Sequence, residues 1–268
     1  MTEVRPLLDV AERELRTVVR TPTLMLAGVG YVLLVGGIGW LGGTGAYLGL
    51  VLDLLTPVEV LVPVLSFAFG YRAVLGDRES GELATIRTYP VDGYWYVLGV
   101  YLGRAVAVVA LVLLGLAAAG LVVPLTGQPQ LSVIASHATV DSVALYLRYV
   151  LATTLFVLVV LAIALLVSAA ARSTRGGLAL ATGAVVALAV GLDGALLGAL
   201  TGEGVATGAP ASLLALSPNS AYRSLVFELS VAPTGVVVPD GPTALLSMVA
   251  LCAWVVVPLA LASRLAWR

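Results

Sequence analysis

A chain of 268 residues that is 60% hydrophobic and only 11% charged, with a mean hydropathy of +1.07, has too little polar surface to solvate a globule. That composition excludes a soluble enzyme and predicts a polytopic membrane protein, with lipid as its main surroundings. The net charge of -1 says nothing about partners, and no nucleic-acid partner is expected; the information lies in where the charges sit.

The first segment, residues 1–21, repeats Val4, Leu7, Leu8, Ala11, Leu15, Val18 and Val19 at three- and four-residue spacing, with Arg5, Asp9, Glu12, Arg13, Arg16 and Arg20 on the other faces. This predicts an amphipathic helix in the cytoplasmic interface, or alternatively one packed on the protein's own loops, broken from the first span by Thr21-Pro22. The charges among these residues argue against a cleavable signal peptide. Six apolar stretches make up most of the unit 22–268, each near the roughly 20 residues a spanning helix needs. They run from Thr23 to Gly43, Pro57 to Leu75, Val97 to Leu125, Val143 to Ala171, Gly177 to Leu200 and Thr243 to Ala266. Uniform apolarity over such lengths argues against a barrel, whose strands alternate apolar and polar residues. The fold class expected is therefore all-α, with six transmembrane helices and an outer loop over 201–242. Gly28, Gly30, Gly36, Gly37 and Gly39 would let the first span pack closely.

Arginine is the only strong base in the chain. With six spans, Arg5, Arg13, Arg16, Arg20, Arg72, Arg78, Arg87, Arg104, Arg172, Arg175, Arg264 and Arg268 fall on one side, and only Arg148 and Arg223 on the other. The positive-inside rule then predicts a multi-pass protein of the cytoplasmic membrane with both termini in the cytoplasm.

Lysine is absent. A G-x-x-x-x-G-K-[ST] phosphate loop needs its lysine, so the chain has no ATPase of that kind, and Schiff-base chemistry with retinal or pyridoxal is excluded. His137, the one histidine, cannot make a zinc site alone, and Cys252, the one cysteine, reads as a small buried apolar residue. No catalytic residue, metal site or cofactor of this chain's own is expected. Arg104 and Glu59 lie where they could snorkel from span ends, and Asp193 sits near the outer end of the fifth span as a possible pathway residue. Two alternatives stay open on the sequence. An intramembrane hydrolase using Asp193 or a span serine would need a second catalytic group at the same depth. A secondary carrier would need repeat-related broken helices, and Pro63 and Pro124 interrupt spans.

The insertion 71–93, between the second and third spans, is the most informative segment. Gly76-Asp77 can open a short helix with Asp77 and Glu79 at its positive end and Arg87 at its negative end, while Leu83 and Ile86 offer an apolar contact face. Tyr89-Pro90-Val91-Asp92-Gly93 stops it, and Tyr94, Trp95 and Tyr96 form an interfacial aromatic belt. An insertion with paired acids, an apolar face and a sharp stop suits the docking of a soluble motor; a loop that merely sets orientation would account for the arginines alone.

Taken together, Arg13-Glu-Leu-Arg16, six spans, Phe67-Ala-Phe-Gly-Tyr-Arg72, Asp77-Arg-Glu-Ser-Gly-Glu-Leu83, Tyr89-Pro-Val-Asp92 and Leu98-Gly-Val-Tyr-Leu-Gly-Arg104 resemble the type-2 ABC transporter permeases over nearly the whole chain, with the subgroup of nitrous-oxide reductase maturation the most similar. The resemblance implies a permease that pairs with a separate ATP-binding subunit, which carries ATP and Mg, and with a second permease in a homo- or heterodimer. It also implies that the coupling contact to the ATPase involves Asp77, Arg78, Glu79, Glu82, Leu83, Ile86 and Arg87. Leu216-Ser-Pro-Asn-Ser-Ala-Tyr-Arg223 is similar to the short Pro-containing helix that relatives carry before the last span. Gly93-Tyr94 and Gly99-Val100 stand where relatives often carry a base and a Gly-Lys pair.

Overall fold

A computed structural model describes residues 4–42, 45–88, 92–126, 141–191, 211–239 and 241–267. All regular structure among them is helical. Helix α1 (Val4–Arg20) ends where Pro22 opens α2 (Pro22–Gly42); α3 (Tyr47–Gly70) is next. Two short helices, α4 (Ala73–Glu79) and α5 (Glu82–Ile86), precede α6 (Gly93–Thr126), α7 (Val143–Ala170) and α8 (Thr174–Val186), which runs into a π-helical turn at Ala187–Gly191. Last come α9 (Pro218–Val226) and α10 (Ala244–Ala266).

Five of these helices, α2, α3, α6, α7 and α10, are long and apolar enough to cross a membrane, and α8 is a shorter apolar one. The predicted fifth span thus starts at Thr174, and its part beyond Gly191, including Asp193, lies outside the described residues, as does His137. The second span begins ten residues earlier than expected. Pro57 reads as a helix start in sequence, yet α3 runs through both Pro57 and Pro63, and α6 runs through Pro124, because the flanking apolar residues continue the helix on both sides.

Helix ends are satisfied by identifiable groups. Ser142, Ser173, Ser217 and Thr243 cap α7, α8, α9 and α10 by accepting backbone N–H bonds, and Pro218 occupies the first turn of α9. Ala46 at the start of α3 has no side chain to do this, and the carboxylate of Asp141 serves instead, accepting from Tyr47 N and Leu48 N at 3.0 Å each. The carboxylate also suits the positive end of the helix.

The core is centred on α7, which buries Tyr149, Phe156, Val160, Leu161 and Leu165 against its neighbours. Helices α3, α6 and α10 surround it. By contrast, Leu26, Leu33 and Leu41 of α2 and Leu245, Val249 and Val256 of α10 are exposed, as lipid-facing positions should be. Cys252 is exposed on this apolar side of α10, which corrects the expectation of a buried cysteine: the last span is a peripheral helix, not a central one.

At 34 residues α6 is about 50 Å long, against a hydrocarbon thickness of about 30 Å, so several of its turns extend beyond the apolar core. Its Gly99 and Gly103, four apart, are where α1 crosses. A Cβ on Gly99 would sit 2.7 Å from Val10 Cβ, and one on Gly103 would collide with Ala11 O and Glu14 Cβ. Leu7 and Val18 of α1 are buried while Leu8 and Val19 are exposed. The first helix is thus packed on a span of its own chain, with part of its apolar surface exposed.

Candidate functional site

The segment between α3 and α6 does not form the single short helix expected from Asp77 to Arg87. Two helical turns meet at Gly81, whose φ of 77° is a left-handed conformation that only glycine adopts without strain. Helix α4 is bolted to the bundle at both ends. Its first amides, Val74 N and Leu75 N, donate to the buried Ser168 Oγ of α7 at 3.0 and 3.1 Å. At its other end Arg78 donates to Ala169 O at 3.2 Å and Ala171 O at 2.8 Å, the open carbonyls at the end of α7, and to Leu265 O of α10 at 3.3 Å. Arg87 does the same for α10, donating to Ala266 O at 2.6 Å with its guanidinium over the Trp267 ring.

Asp77 points to the opposite side. Its Oδ2 accepts from Arg13 of α1 at 2.6 Å and from the Tyr96 hydroxyl of α6 at 2.7 Å. Arg13 also bonds Glu82 of α5 and Glu14 of its own helix. Glu14 is almost fully buried and accepts from Arg104 Nε of α6 at 2.8 Å, and Arg104 reaches Phe69 O at the end of α3. One chain of charge-assisted bonds therefore joins α1, α3, α4, α5 and α6. Burial lowers the pKa of the Arg13 guanidinium, but the charges and hydrogen bonds of Asp77 and Glu14 outweigh it and raise the value above the ordinary one, so Arg13 stays charged.

Glu79 is exposed and accepts from Thr174 Oγ1 at the start of α8 at 2.7 and 2.8 Å, with Arg72 at 3.4 Å. The hydrogen bond from Thr174, aided by the Arg72 charge, lowers its pKa. Leu83 is buried among Ala73, Val74, Tyr96 and Val97 of this same chain, with Ile86 packed at the edge of that cluster. The apolar face seen in the sequence is therefore covered from within. What the element leaves exposed is its tip, Ser80, Gly81, Glu82, Ala84 and Thr85.

Two expectations for charged residues are corrected. Arg104 does not snorkel; it is buried in the pair with Glu14. Glu59 lies about 17 Å from either end of α3, too deep for its short side chain to reach water along the helix. It is 2% exposed and paired with Arg223 of α9, whose Nε donates to Glu59 Oε1 at 2.8 Å. Helix α9 is accordingly embedded in the bundle. Tyr222 is fully buried, stacked on Phe156 with centroids 4.5 Å apart, and its hydroxyl lies 2.9 Å from Thr153 Oγ1.

The residues that sequence reasoning passed over are Glu14 and Tyr96, and Arg13 and Arg104 as its partners. Glu14 was the one charge of the first helix not assignable to a polar face, which is the signal that could have found it.

A family model matches most of this sequence, and two relatives match less than half of it. Residues 8–265 match the model of the ABC-2 family transporter proteins. The probable ABC transporter permease protein NosY of Stutzerimonas stutzeri is 27% identical over 124 residues, 44% of this chain and 45% of that protein. The protein of the same name from Pseudomonas aeruginosa is 28% identical over 121 residues, 42% of this chain and 44% of that protein. In both cases the match spans less than half of the relative. The match to the family model extends across nearly the whole chain, from α1 to the end of α10, and on that ground the chain belongs to the ABC-2 family of transporter proteins.

Proposed function

We propose that this chain is the permease subunit of an ATP-driven transporter, docking through the tip of α4–Gly81–α5 onto a separate ATP-binding subunit that carries ATP and Mg, within an assembly of two permeases. The observation that carries this reading is the mounting of that element: an exposed tip whose roots are hydrogen-bonded to the ends of α7 and α10 through Arg78 and Arg87, and to α1 and α6 through Asp77. A push on the tip is passed to several helices at once. In this reading Glu79 and Glu82 contribute charge near the contact, while Leu83 and Ile86 keep the element rigid. The absence of lysine leaves the motor to a partner. The arginines of α1, Arg78, Arg87 and Arg264 at the end of α10 gather at one end of the bundle, which supports a cytoplasmic position for that end and for both termini.

The test is co-expression with the candidate ATP-binding subunit and recovery of the complex. Thr85→Arg places a bulky charge on the exposed tip without removing a bond of its side chain, and should reduce recovery and ATP turnover at least tenfold, as a misplaced interface charge does on the order of a few kcal/mol. Val237→Arg, on the fully exposed loop before α10, should leave both unchanged. Normal assembly and turnover for Thr85→Arg would exclude the tip as the docking site.

A further inference from the structure

A cavity of about 520 Å³ opens at the same end of the bundle, between α5 and the last turns of α7 and α10. Arg78, Arg87 and Arg172 line it, Leu83, Ala84 and Leu265 supply apolar wall, and no carboxylate is among its described lining residues. Arg78 and Arg87 are held in position but not neutralised, because their partners are main-chain carbonyls that carry only partial charge. Arg172 is exposed and makes no hydrogen bond or ion pair with the described residues. Three cations around one concave space repel one another, and an anion in the space relieves that repulsion.

The approach to the cavity is apolar. Leu265 continues a stripe on α10 through Leu261 and Val257 at four-residue spacing, and these two are 43% and 54% exposed on a helix that faces lipid. Trp267, an interfacial residue type, stands beside Arg87 at 5.7 Å. A basic pocket at the membrane surface joined to an apolar track matches a ligand with an anionic head and an acyl tail. We infer that the cavity binds the phosphate headgroup of an anionic phospholipid, with one acyl chain along Val257, Leu261 and Leu265. The bound lipid would tie α5 to the ends of α7 and α10. This inference depends on the membrane setting of the chain and not on its partner subunit.

The experiment uses the purified full chain, with phosphatidylglycerol, phosphatidylcholine and inorganic phosphate as probes. Phosphatidylglycerol should raise the thermal midpoint and be retained in native mass spectra, and phosphatidylcholine should not. Removing one cation near the membrane surface, Arg172→Gln, should weaken phosphatidylglycerol binding about fivefold, and Arg172→Glu more than tenfold. Arg175→Gln, the same charge change on an exposed arginine of α8 outside the cavity, should weaken it less than twofold. Equal stabilisation by inorganic phosphate would make this a soluble-anion site and overturn the lipid assignment. Equal effects of the Arg172 and Arg175 substitutions would reduce the binding to general surface charge. Retention unaffected by Arg172→Glu would remove the cavity as the site.

Discussion

Arg13 and Asp77, sixty-four residues apart, meet at 2.6 Å and close α1 onto α4. The Arg13 side chain is 30% exposed and that of Asp77 14%, so the pair lies between a surface bridge of little value and a fully desolvated one. A double-mutant cycle of Arg13→Gln and Asp77→Asn, measured by thermal unfolding in detergent, should return a coupling energy of about 1–2 kcal/mol. A value indistinguishable from zero would mean that this pair does not hold α1 to α4, leaving that task to packing and to the Glu14–Arg104 pair.

That packing is testable separately. Gly103→Ala puts a methyl group onto the Ala11 carbonyl, a backbone atom that can retreat only if α1 shifts, and should destabilise by about 1–3 kcal/mol. Gly37→Ala, with nothing within 4 Å of the added atom, should be neutral or slightly stabilising. Equal midpoints for the two variants would refute the close crossing of α1 on α6.

Much of the fold was legible because a span is a local property: five of the apolar runs in the sequence correspond to α2, α3, α6, α7 and α10 without any tertiary information. What was not legible depends on contacts distant in sequence. Leu83 advertises an apolar face, but the sequence does not reveal that Val74, Tyr96 and Val97 cover it. Glu14 and Arg104 look like two interfacial charges until they are seen paired across ninety positions. The left-handed Gly81 that splits the element into α4 and α5 could be read as a turn, but the anchoring of α4 by Ser168 and Arg78 is encoded by no local pattern.

Glu79 gives the end of α4 a defined pH response. Its folded pKa lies below the ordinary 4.5 because Thr174 donates to the carboxylate and Arg72 is near. A depressed carboxylate pKa contributes stability above the unfolded value that is lost as pH falls through the folded one. Arg13 has a raised pKa, so its contribution is intact everywhere below the ordinary arginine value and adds no step in this window. Spin labels at Ser80 and Ser173, with Cys252 replaced, should report a constant distance from neutral pH to about 4.5 and a broadening distribution below it. Glu79→Gln should show no acid step. A step that survives in Glu79→Gln would assign the response to another carboxylate.

The Glu59–Arg223 pair should respond asymmetrically to the loss of either partner, because the two side chains are unequally buried: 3% exposed for Glu59 and 45% for Arg223. Arg223→Gln removes the guanidinium paired with a carboxylate in the interior of the bundle, a loss that typically costs about 3–5 kcal/mol for a buried pair. Glu59→Gln leaves a half-exposed arginine with more freedom to move, and its neutral amide still accepts a hydrogen bond, so it should cost about 1 kcal/mol. The double variant Glu59→Gln/Arg223→Gln should recover most of the loss caused by Arg223→Gln, since no buried charge remains. Thermal unfolding of the three variants measures the cycle, and limited proteolysis around α9 reports whether that helix has left the bundle. Because Tyr222 remains stacked on Phe156 and bonded to Thr153, α9 should stay protected in Glu59→Gln and become cleavable in Arg223→Gln. Equal destabilisation by the two single substitutions would show that the carboxylate is not the costly partner, and that α9 is seated by its aromatic contacts and not by the ion pair.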